Sequence, residues 1–235
     1  MSSTSASSHL EPARVAAARA AVDLMEEGMT VGLGSGRAVW AVIAAIGERW
    51  PGKPPVEAVV ASEATYAIAR AAGIPIRQLD GGIILDLAFD GADQLDEELR
   101  LLKGGGGALL REKLVAAAAR SFVVVAETKK LVEEVGVGFR LPVEVVRFGW
   151  RDTRRRLGSL LPESERRTVG DEPYQTDEGH FLLDAPIPAG SDLASLDRDL
   201  KLVTGVVEHG LFVDMASRAL LGRDDGGVDV IDRAA

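Results

Sequence analysis

Four consecutive glycines, residues 104–107, stand between Lys103 and a helical segment that begins near Ala108. Ordering so many glycines costs backbone entropy, so they are expected where the backbone must come close to a ligand. The start of a helix adds unpaired N–H groups and a partial positive charge. The pattern therefore predicts an anion or oxyanion site, in which Gly104, Gly105 and Gly106 offer N–H groups and Lys103 adds a full charge.

Glu112 is the candidate base beside this loop. It shares a helix face with Leu109 and Ala116, at i−3 and i+4 spacing, which predicts that its carboxyl group points inward. An inward carboxylate next to an oxyanion site is the arrangement that moves a proton beside a carbonyl group. The alternative is a flexible linker followed by a surface helix on which Glu112 pairs with Lys113.

A second glycine turn, Gly32-Leu33-Gly34-Ser35-Gly36-Arg37, lies between a predicted strand and a predicted helix. The dinucleotide fingerprint requires glycine at its sixth position, which is Arg37 here, so a phosphate site is favoured over NAD. A cation in the first turn of a helix opposes the helix dipole unless an anion binds there. The alternative is that Arg37 simply reaches solvent.

Asp90-Gly91-Ala92-Asp93 places two carboxylates at a strand end, where they can hold sugar hydroxyls or assist ring opening. A magnesium site that adds Asp96 is an alternative, although the spacing matches no dedicated loop. Asp96 is instead interpreted as part of a solvated acidic turn with Glu97 and Glu98.

Three further acidic and basic positions are interpreted from their neighbours. Asp86, inside an apolar strand, is expected to be a hydrogen-bonded structural residue. Lys129 and Lys130 follow a strand end and can reach an anion, with plain exposure the expectation for one of them.

Apolar segments and helical segments alternate through the first half of the chain. The pattern predicts helices over residues 13–27, 38–49, 62–72 and 108–120, and strands over 29–33, 56–61, 74–78, 83–89 and 122–126. Continuous apolar strands of this kind form a parallel sheet covered on both faces. Ligands of such sheets bind beyond the carboxyl ends of the strands. The candidate segments, residues 34–37, 90–93, 103–107 and 127–130, all fall at such ends.

The second half changes character near residue 138. We expect strands over 141–147 and 206–213, helices over 151–161 and 193–200, and turns within 168–183, after which the chain rejoins the first sheet. The predicted fold class is α/β, with a Rossmann-like parallel-sheet domain (residues 1–135 plus 213–235) and a smaller α+β domain (residues 136–212).

Composition narrows the classes of function. The 235 residues carry a net charge of −9 with no basic block, which argues against a nucleic-acid partner. The chain has no cysteine, and its three histidines, His9, His180 and His209, are far apart, which disfavours thiolate chemistry and a zinc site. No apolar segment approaches a membrane span. Residues 1–12 lack the apolar core of a signal peptide, so we interpret them as a frayed tail and the protein as cytoplasmic.

Several motifs together resemble ribose-5-phosphate isomerase, type A. They are Asp90-Gly91-Ala92-Asp93, residues 103–112, Leu141-Pro142-Val143-Glu144-Val145, Thr176-Asp177 with Gly179-His180, and Gly205-Val206-Val207-Glu208 with Gly210-Leu211-Phe212. The resemblance implies interconversion of ribose 5-phosphate and ribulose 5-phosphate, a small-molecule substrate and neither cofactor nor metal. It also implies a ferredoxin-like smaller domain and a cytoplasmic homo-oligomer, either a dimer or a tetramer.

Carried over by position, the resemblance makes Glu112 the proton-shuttling base, and Asp90, Asp93 and Lys103 the residues that handle the sugar and its ring opening. The glycine loop would stabilise the enediolate. The implied substrate-binding residues are Arg14, Ser35, Gly36, Arg37, Ala38, Asp90, Gly91, Ala92, Asp93, Lys103, Gly104, Gly105, Gly106 and Lys130.

The phosphate turn departs from the pattern of this family, which usually reads Thr-Gly-Ser-Thr where this chain has Ser35-Gly36-Arg37-Ala38. Either Arg37 clamps the phosphate in place of the lost hydroxyls, or it narrows the pocket and changes the preferred sugar phosphate. Arg14 keeps the positive charge where an N-terminal lysine often helps to hold phosphate.

Two other functions remain as alternatives. One is a sugar-phosphate-binding regulatory module without catalysis, which usually carries a helix-turn-helix segment that this chain has no room for. The other is acyl transfer through a carboxylate nucleophile on a related glycine-rich scaffold.

Overall fold

The computed structural model describes residues 11–234. The frayed tail expected at the N-terminus, and His9 within it, therefore lie outside the described residues, apart from Glu11 and Pro12. The helices are α1 (Pro12–Asp23), α2 (Arg37–Arg49), α3 (Glu63–Ala71), α4 (Leu109–Ala117), α5 (Trp150–Leu157) and α6 (Leu193–Lys201).

The strands of the first half are β1 (Thr30–Leu33), β2 (Glu57–Val60), β3 (Leu85–Asp90), β4 (Gln94–Leu95), β5 (Leu101–Leu102) and β6 (Ala119–Glu127). Those of the second half are β7 (Arg140–Val145), β8 (Glu165–Arg166), β9 (Thr168–Val169), β10 (Glu172–Pro173), β11 (Phe181–Pro186), β12 (Val206–His209), β13 (Leu211–Phe212), β14 (Arg218–Gly222) and β15 (Val228–Asp232).

The larger sheet has six strands in the order β2-β1-β3-β6-β14-β15, and only β15 runs antiparallel to its neighbour. Helices α1 and α2 cover one face, and α4 covers the other. Strand β6 shows why the apolar segments are continuous, because Val123 and Val125 enter one core while Phe122 and Val124 enter the other. The predicted α/β class with a parallel sheet is confirmed.

The smaller sheet has the antiparallel order β12-β7-β11-β8, with α5 between β7 and β8 and α6 between β11 and β12. This β-α-β-β-α-β succession is the ferredoxin-like motif. Its core contains the apolar side chains Leu141, Val143, Leu183 and Leu200. The ferredoxin-like architecture implied by the resemblance is therefore present.

Several predicted elements differ in extent, and among them the helices expected over 13–27 and 151–161 end at Asp23 and Leu157. The strand expected over residues 74–78 is reduced to one parallel bridge between Ile76 and Ala58, because Pro75 has no N–H to donate to a ladder. The helix expected over 108–120 ends at Ala117, and β6 begins two residues later. The strand expected over 206–213 is split at Gly210, so that β12 joins β7 whereas β13 joins β5.

None of the helices in the described part of the chain has the length and apolar character needed to cross a bilayer.

Candidate active site

A cavity of about 360 Å³ opens beyond the carboxyl ends of β1, β3 and β6. Strands β1 and β3 are parallel neighbours in the sheet. The chain continues from β1 to β2 on one side of this pair and from β3 to β6 on the other side, which opens a crevice between the loops that follow β1 and β3. The cavity is lined by Arg14, Ser35, Gly36, Arg37, Ala38, Trp40, Gly91, Ala92, Asp93, Lys103, Gly104, Gly105, Gly106, Glu112, Glu127 and Lys130.

Every substrate-binding residue that the sequence analysis named lines this cavity except Asp90, which is buried behind the residues of the cavity wall. Gly34 explains how the ends of β1 and β3 come so close. A Cβ atom at Gly34 would lie 2.0 Å from Cγ of Asp90, so only glycine fits there.

Glu112 lies in the first turn of α4 with 6% of its surface exposed, and it faces the cavity. Its Oε2 atom is 3.3 Å from Nζ of Lys103 and forms no hydrogen bond within residues 11–234. The Lys103 ammonium also lies 2.9 Å from Oδ2 of Asp90 and donates to the Gly91 carbonyl oxygen at 2.7 Å. One buried ammonium is therefore shared between two buried carboxyl groups.

Asp90 is anchored from its other side. Its Oδ1 atom accepts hydrogen bonds from the backbone N–H groups of Ser35, at 3.2 Å, and Gly91, at 2.8 Å. Asp90 therefore joins the β1–α2 turn to Lys103, and it can reach a bound molecule only through that lysine.

Burial and neighbouring charges determine the pKa values of Glu112, Asp90 and Lys103. Burial is the largest cause that raises the pKa of Glu112 to about 8, the negative charge of Asp90 raises it further, and Lys103 opposes both. Burial also raises the pKa of Asp90. For Lys103, burial alone would lower the pKa, but Asp90 and Glu112 outweigh it and raise the pKa. A carboxyl group with its pKa near neutrality is suited to take up and release a proton.

The glycine loop is held in an unusual backbone conformation, with φ of 95° at Gly104 and 87° at Gly107, which favours glycine. The Gly105 N–H donates to Oδ2 of Asp93 at 2.8 Å, and the Gly107 N–H donates to the Gly104 carbonyl oxygen at 3.0 Å. The Gly104 and Gly106 N–H groups, both on the cavity wall, have no acceptor within the described residues. They are the amides of this loop that remain available to an oxyanion once Gly105 and Gly107 are paired.

Cationic side chains gather at the end of the cavity beside the β1–α2 turn. Arg37 is the first residue of α2 and is exposed, whereas Lys130 is half-buried in the turn after β6. Neither forms an ion pair within residues 11–234, so both charges are available to an anion. Lys129 points away from the cavity and pairs with Glu11 at 2.8 Å.

Arg14 differs from these two cations. It is buried and forms an ion pair with Glu127, and its contact with Glu11 is 3.4 Å long. Much of its charge is therefore already balanced. The sequence placed Glu127 in the candidate segment 127–130 at the carboxyl end of a strand, but it assigned Glu127 no role of its own.

The acidic turn was predicted wrongly in part. Asp96 is only 4% exposed, and it accepts hydrogen bonds from the backbone N–H groups of Glu98 and Arg100 and from the Arg100 side chain at 2.6 Å. The carboxylate closes the turn between β4 and β5, while Glu97 and Glu98 are exposed as expected. In the described part of the chain, no three His, Asp or Glu side chains are grouped closely enough to hold a metal ion.

The surface-helix alternative for Glu112 is also not what the structure shows. Lys113 turns away from Glu112 and donates to Glu208 at 2.8 Å and to the carbonyl oxygens of His209 and Leu211. Asp86 is a structural residue, as expected, because it accepts from the Thr30 N–H and from Arg120.

Comparison with known proteins identifies the family. The family model described as ribose 5-phosphate isomerase A (phosphoriboisomerase A) matches residues 57–226. The chain belongs to the ribose 5-phosphate isomerase A family. A curated relative, ribose-5-phosphate isomerase A of Thermomicrobium roseum, is 46% identical over 219 residues, which cover 92% of this chain and 92% of the relative.

Solved structures of the same family share the fold. Ribose 5-phosphate isomerase from Plasmodium falciparum superposes with a TM-score of 0.88 at 31% identity, and the match covers 96% of this chain and 100% of that chain. A D-ribose-5-phosphate isomerase in complex with phospho-erythronic acid gives the same TM-score, identity and coverage. The ribose 5-phosphate isomerase A fold therefore extends beyond the matched residues 57–226 to include the β1–α2 turn.

Proposed function

We propose that this chain interconverts D-ribose 5-phosphate and D-ribulose 5-phosphate by proton transfer through a cis-enediolate. The observation that carries the proposal is the buried Glu112 carboxyl group, which faces the cavity with an oxygen that forms no hydrogen bond in the described chain and lies 3.3 Å from the Lys103 ammonium. Family membership and the names of the relatives agree with this chemistry.

The reaction begins with the phosphate bound by Arg37, Lys130 and the N–H groups at the start of α2, where the helix dipole favours an anion. Asp93, on the cavity wall, holds sugar hydroxyls as the ring opens, and Asp90 acts on this step through Lys103. The carbonyl at C1 of the open aldose then lies next to the Lys103 ammonium and the Gly106 N–H.

Glu112 takes the proton from C2, and the electron pair of the broken C–H bond forms the C1–C2 double bond while negative charge develops on O1. Lys103 and Gly106 stabilise this charge, and each well-placed donor contributes roughly 3–4 kcal/mol. Transfer of the proton from the O2 hydroxyl to O1 moves the negative charge to O2. Glu112 then returns its proton to C1, the pair of the C1–C2 double bond forms the new C–H bond, and the charge on O2 becomes the C2 carbonyl of the ketose.

The test is conversion of ribose 5-phosphate in D₂O with EDTA present, followed by NMR of the product. We expect ribulose 5-phosphate that carries deuterium at C1, because Glu112 exchanges its proton with solvent during some turnovers. Activity that disappears with EDTA and returns with Mg²⁺ would refute a metal-free path. Turnover with no deuterium in the product would refute the enediolate.

The raised pKa of Glu112 predicts the pH dependence of the reaction. Only the ionised carboxylate removes a proton, so kcat/KM should fall as the pH decreases through the pKa of the free enzyme. With a pKa of about 8, the midpoint of this fall should lie well above 4.5, the usual value for glutamate. A midpoint near 4.5 in steady-state rates would show that burial does not control this group.

The charge of Arg37 at the β1–α2 turn predicts that this residue binds the substrate phosphate. Removing a charged hydrogen bond costs roughly 1.5–3 kcal/mol, so Arg37→Ala should raise KM for ribose 5-phosphate at least about 10-fold with little change in kcat. The double variant Arg37→Ser with Ala38→Thr, which restores two hydroxyls, should recover most of the affinity. Arg70→Ala, on the exposed side of α3, is the matched control. An unchanged KM for Arg37→Ala would remove Arg37 from the phosphate site.

A different pentose phosphate is the second candidate substrate, because Arg37 occupies the turn where the family usually has a hydroxyl residue. Steady-state rates with ribose 5-phosphate and arabinose 5-phosphate, measured for the wild type and for the restored double variant, separate the two. A kcat/KM that is higher for arabinose 5-phosphate than for ribose 5-phosphate in the wild type, but not in the double variant, would assign the altered preference to Arg37.

The proposal also covers the division of the chain into two domains and its oligomeric state. Residues 1–135 with 213–235 would form the catalytic domain and residues 136–212 the smaller domain. Most residues of each apolar core lie on one side of this division, whereas Leu102, Val135 and Phe212 pack into the core on the other side. We also propose a cytoplasmic homo-oligomer, a dimer or a tetramer, on the resemblance to the family. Light scattering after size-exclusion chromatography tests the oligomeric state, and a monomer at micromolar concentration would contradict it.

A further inference from the structure

The glycine loop is held from outside the parallel-sheet half of the chain. Arg167, between β8 and β9, donates from Nη1 to the carbonyl oxygens of Gly104 at 3.2 Å and Gly105 at 2.9 Å. Tyr174, just after β10, donates from its hydroxyl to the Gly106 carbonyl oxygen at 3.2 Å. Three successive carbonyl groups of the loop are therefore bound by side chains that follow it by about 60 residues in the sequence.

Arg167 is itself fixed in place. Its Nε and Nη2 atoms bind both carboxylate oxygens of Asp184 on β11, at 2.8 and 2.6 Å, and only 17% of its side chain is exposed. A two-pronged contact of this kind holds the guanidinium plane in one orientation. The remaining nitrogen, Nη1, is thereby aimed at the loop.

Binding a carbonyl group also orients the next N–H group, because the peptide unit is planar and its C=O and N–H bonds point in opposite directions. Holding the Gly105 oxygen fixes the direction of the Gly106 N–H, which is one of the two loop amides on the cavity wall without an acceptor in the described chain. Holding the Gly104 oxygen fixes the Gly105 N–H, which donates to Asp93.

Tyr174 restricts the loop by contact as well as by its hydrogen bond. A Cβ atom at Gly107 would lie 2.2 Å from the Tyr174 hydroxyl oxygen, so the ring rests directly on the backbone there. Glycines bring the backbone close to a ligand, but they also leave it mobile, and an oxyanion site is effective only when its donors are oriented beforehand. Arg167 and Tyr174 supply the restraint that the glycines lack.

We propose that Arg167, oriented by Asp184 and supported by Tyr174, is a positioning residue that aims the Gly106 N–H at the developing enediolate. It touches neither the substrate nor the reacting atoms. The inference rests on the proposed isomerase activity, and it adds that the smaller sheet takes part in catalysis by holding the loop.

The test compares Arg167→Ala and Tyr174→Phe with the wild type on ribose 5-phosphate. Deleting an oxyanion donor costs roughly 100- to 1,000-fold in kcat. A donor that is present but poorly aimed should cost less, so we expect kcat to fall about 10- to 100-fold for Arg167→Ala and about 3- to 10-fold for Tyr174→Phe. KM should change by less than about 3-fold, because the phosphate contacts lie on other elements.

A second readout separates positioning from a general structural role. The carboxylate of phospho-erythronic acid resembles the enediolate, so its inhibition constant should rise in proportion to the loss in kcat. Guanidinium ion at millimolar concentration should restore part of the kcat of Arg167→Ala, whereas the same concentration of potassium ion should not. Arg140→Ala is the matched control, because Arg140 donates to the Asp184 carbonyl oxygen at 2.8 Å but does not touch the loop.

The outcomes are distinct. An inactive wild type would refute the proposed function itself. With an active wild type, an unchanged kcat in both variants, or a loss confined to KM with unchanged inhibition by phospho-erythronic acid, would overturn the positioning role. If Arg167→Ala does not fold, Tyr174→Phe, which keeps the ring and removes only the hydroxyl, decides the question by the same kcat and inhibition criteria.

Discussion

Glu112→Gln should lower kcat for ribose 5-phosphate by about 10,000-fold, the upper end of what a general base contributes, because one carboxyl group serves both proton transfers. The amide keeps the shape of the side chain, so KM or the dissociation constant of ribose 5-phosphate should stay within a few-fold of the wild type. Glu48→Gln is the matched control, since it removes the same charge from the exposed face of α2. Near-normal turnover by Glu112→Gln would remove Glu112 from the mechanism.

The same variant should reveal the cost of the buried carboxylate. The folded state raises the pKa of Glu112 from 4.5 to about 8, so the stability that the protonated group contributes is full below about pH 4.5 and is lost as the pH rises through 8. Glu112→Gln does not ionise, so its free energy of unfolding relative to that of the wild type should increase as the pH rises from about 5 to about 9. Urea unfolding at pH 5 and at pH 9 measures this increase, and Glu48→Gln should show no such increase.

Lys103→Met should be the most damaging substitution for stability, and it should lower activity strongly as well. It leaves Asp90 and Glu112 buried, 2.9 and 3.3 Å from the position that held their shared ammonium group. Removing one partner of a buried ion pair typically costs about 3–5 kcal/mol, because the remaining charge is uncompensated. The oxyanion donor is lost as well, so we expect kcat to fall by at least about 1,000-fold.

The pH dependence identifies the cause of this damage. Without the ammonium, the pKa of both carboxyl groups should rise further, so the loss of stability should be smallest near pH 5 and grow toward pH 9. The double variant Lys103→Met with Glu112→Gln should recover part of the stability at the higher pH. Lys53→Met, in an exposed loop, is the control. A loss that is independent of pH and unrelieved in the double variant would contradict the shared-ammonium account.

The sequence predicted best those features that depend on local pattern. The uninterrupted apolar stretch in β6 correctly indicated a strand buried on both faces, since its alternate residues enter two different cores. The i−3 and i+4 neighbours of Glu112 correctly indicated its inward direction. The strand ends gathered around one cavity because parallel strands in one sheet end at the same edge.

What the sequence did not predict depends on contacts between distant segments. Asp96 looked like a solvated acid among other acids, but its carboxylate is needed to close a turn with Arg100. The ion pair between Arg14 and Glu127 spans 113 positions. The contacts of Arg167 with the glycine loop depend on how the smaller sheet packs against the larger half, and no local pattern carries that information.

Exchange of the C2 proton of ribose 5-phosphate in D₂O tests the central claim most directly, because it follows proton removal without requiring product release. Proton NMR should show loss of the C2 signal with the wild type and with Glu48→Gln at similar rates, and no loss above the uncatalysed rate with Glu112→Gln. Exchange by Glu112→Gln at a rate comparable to the wild type would contradict the assignment of Glu112 as the group that moves the proton.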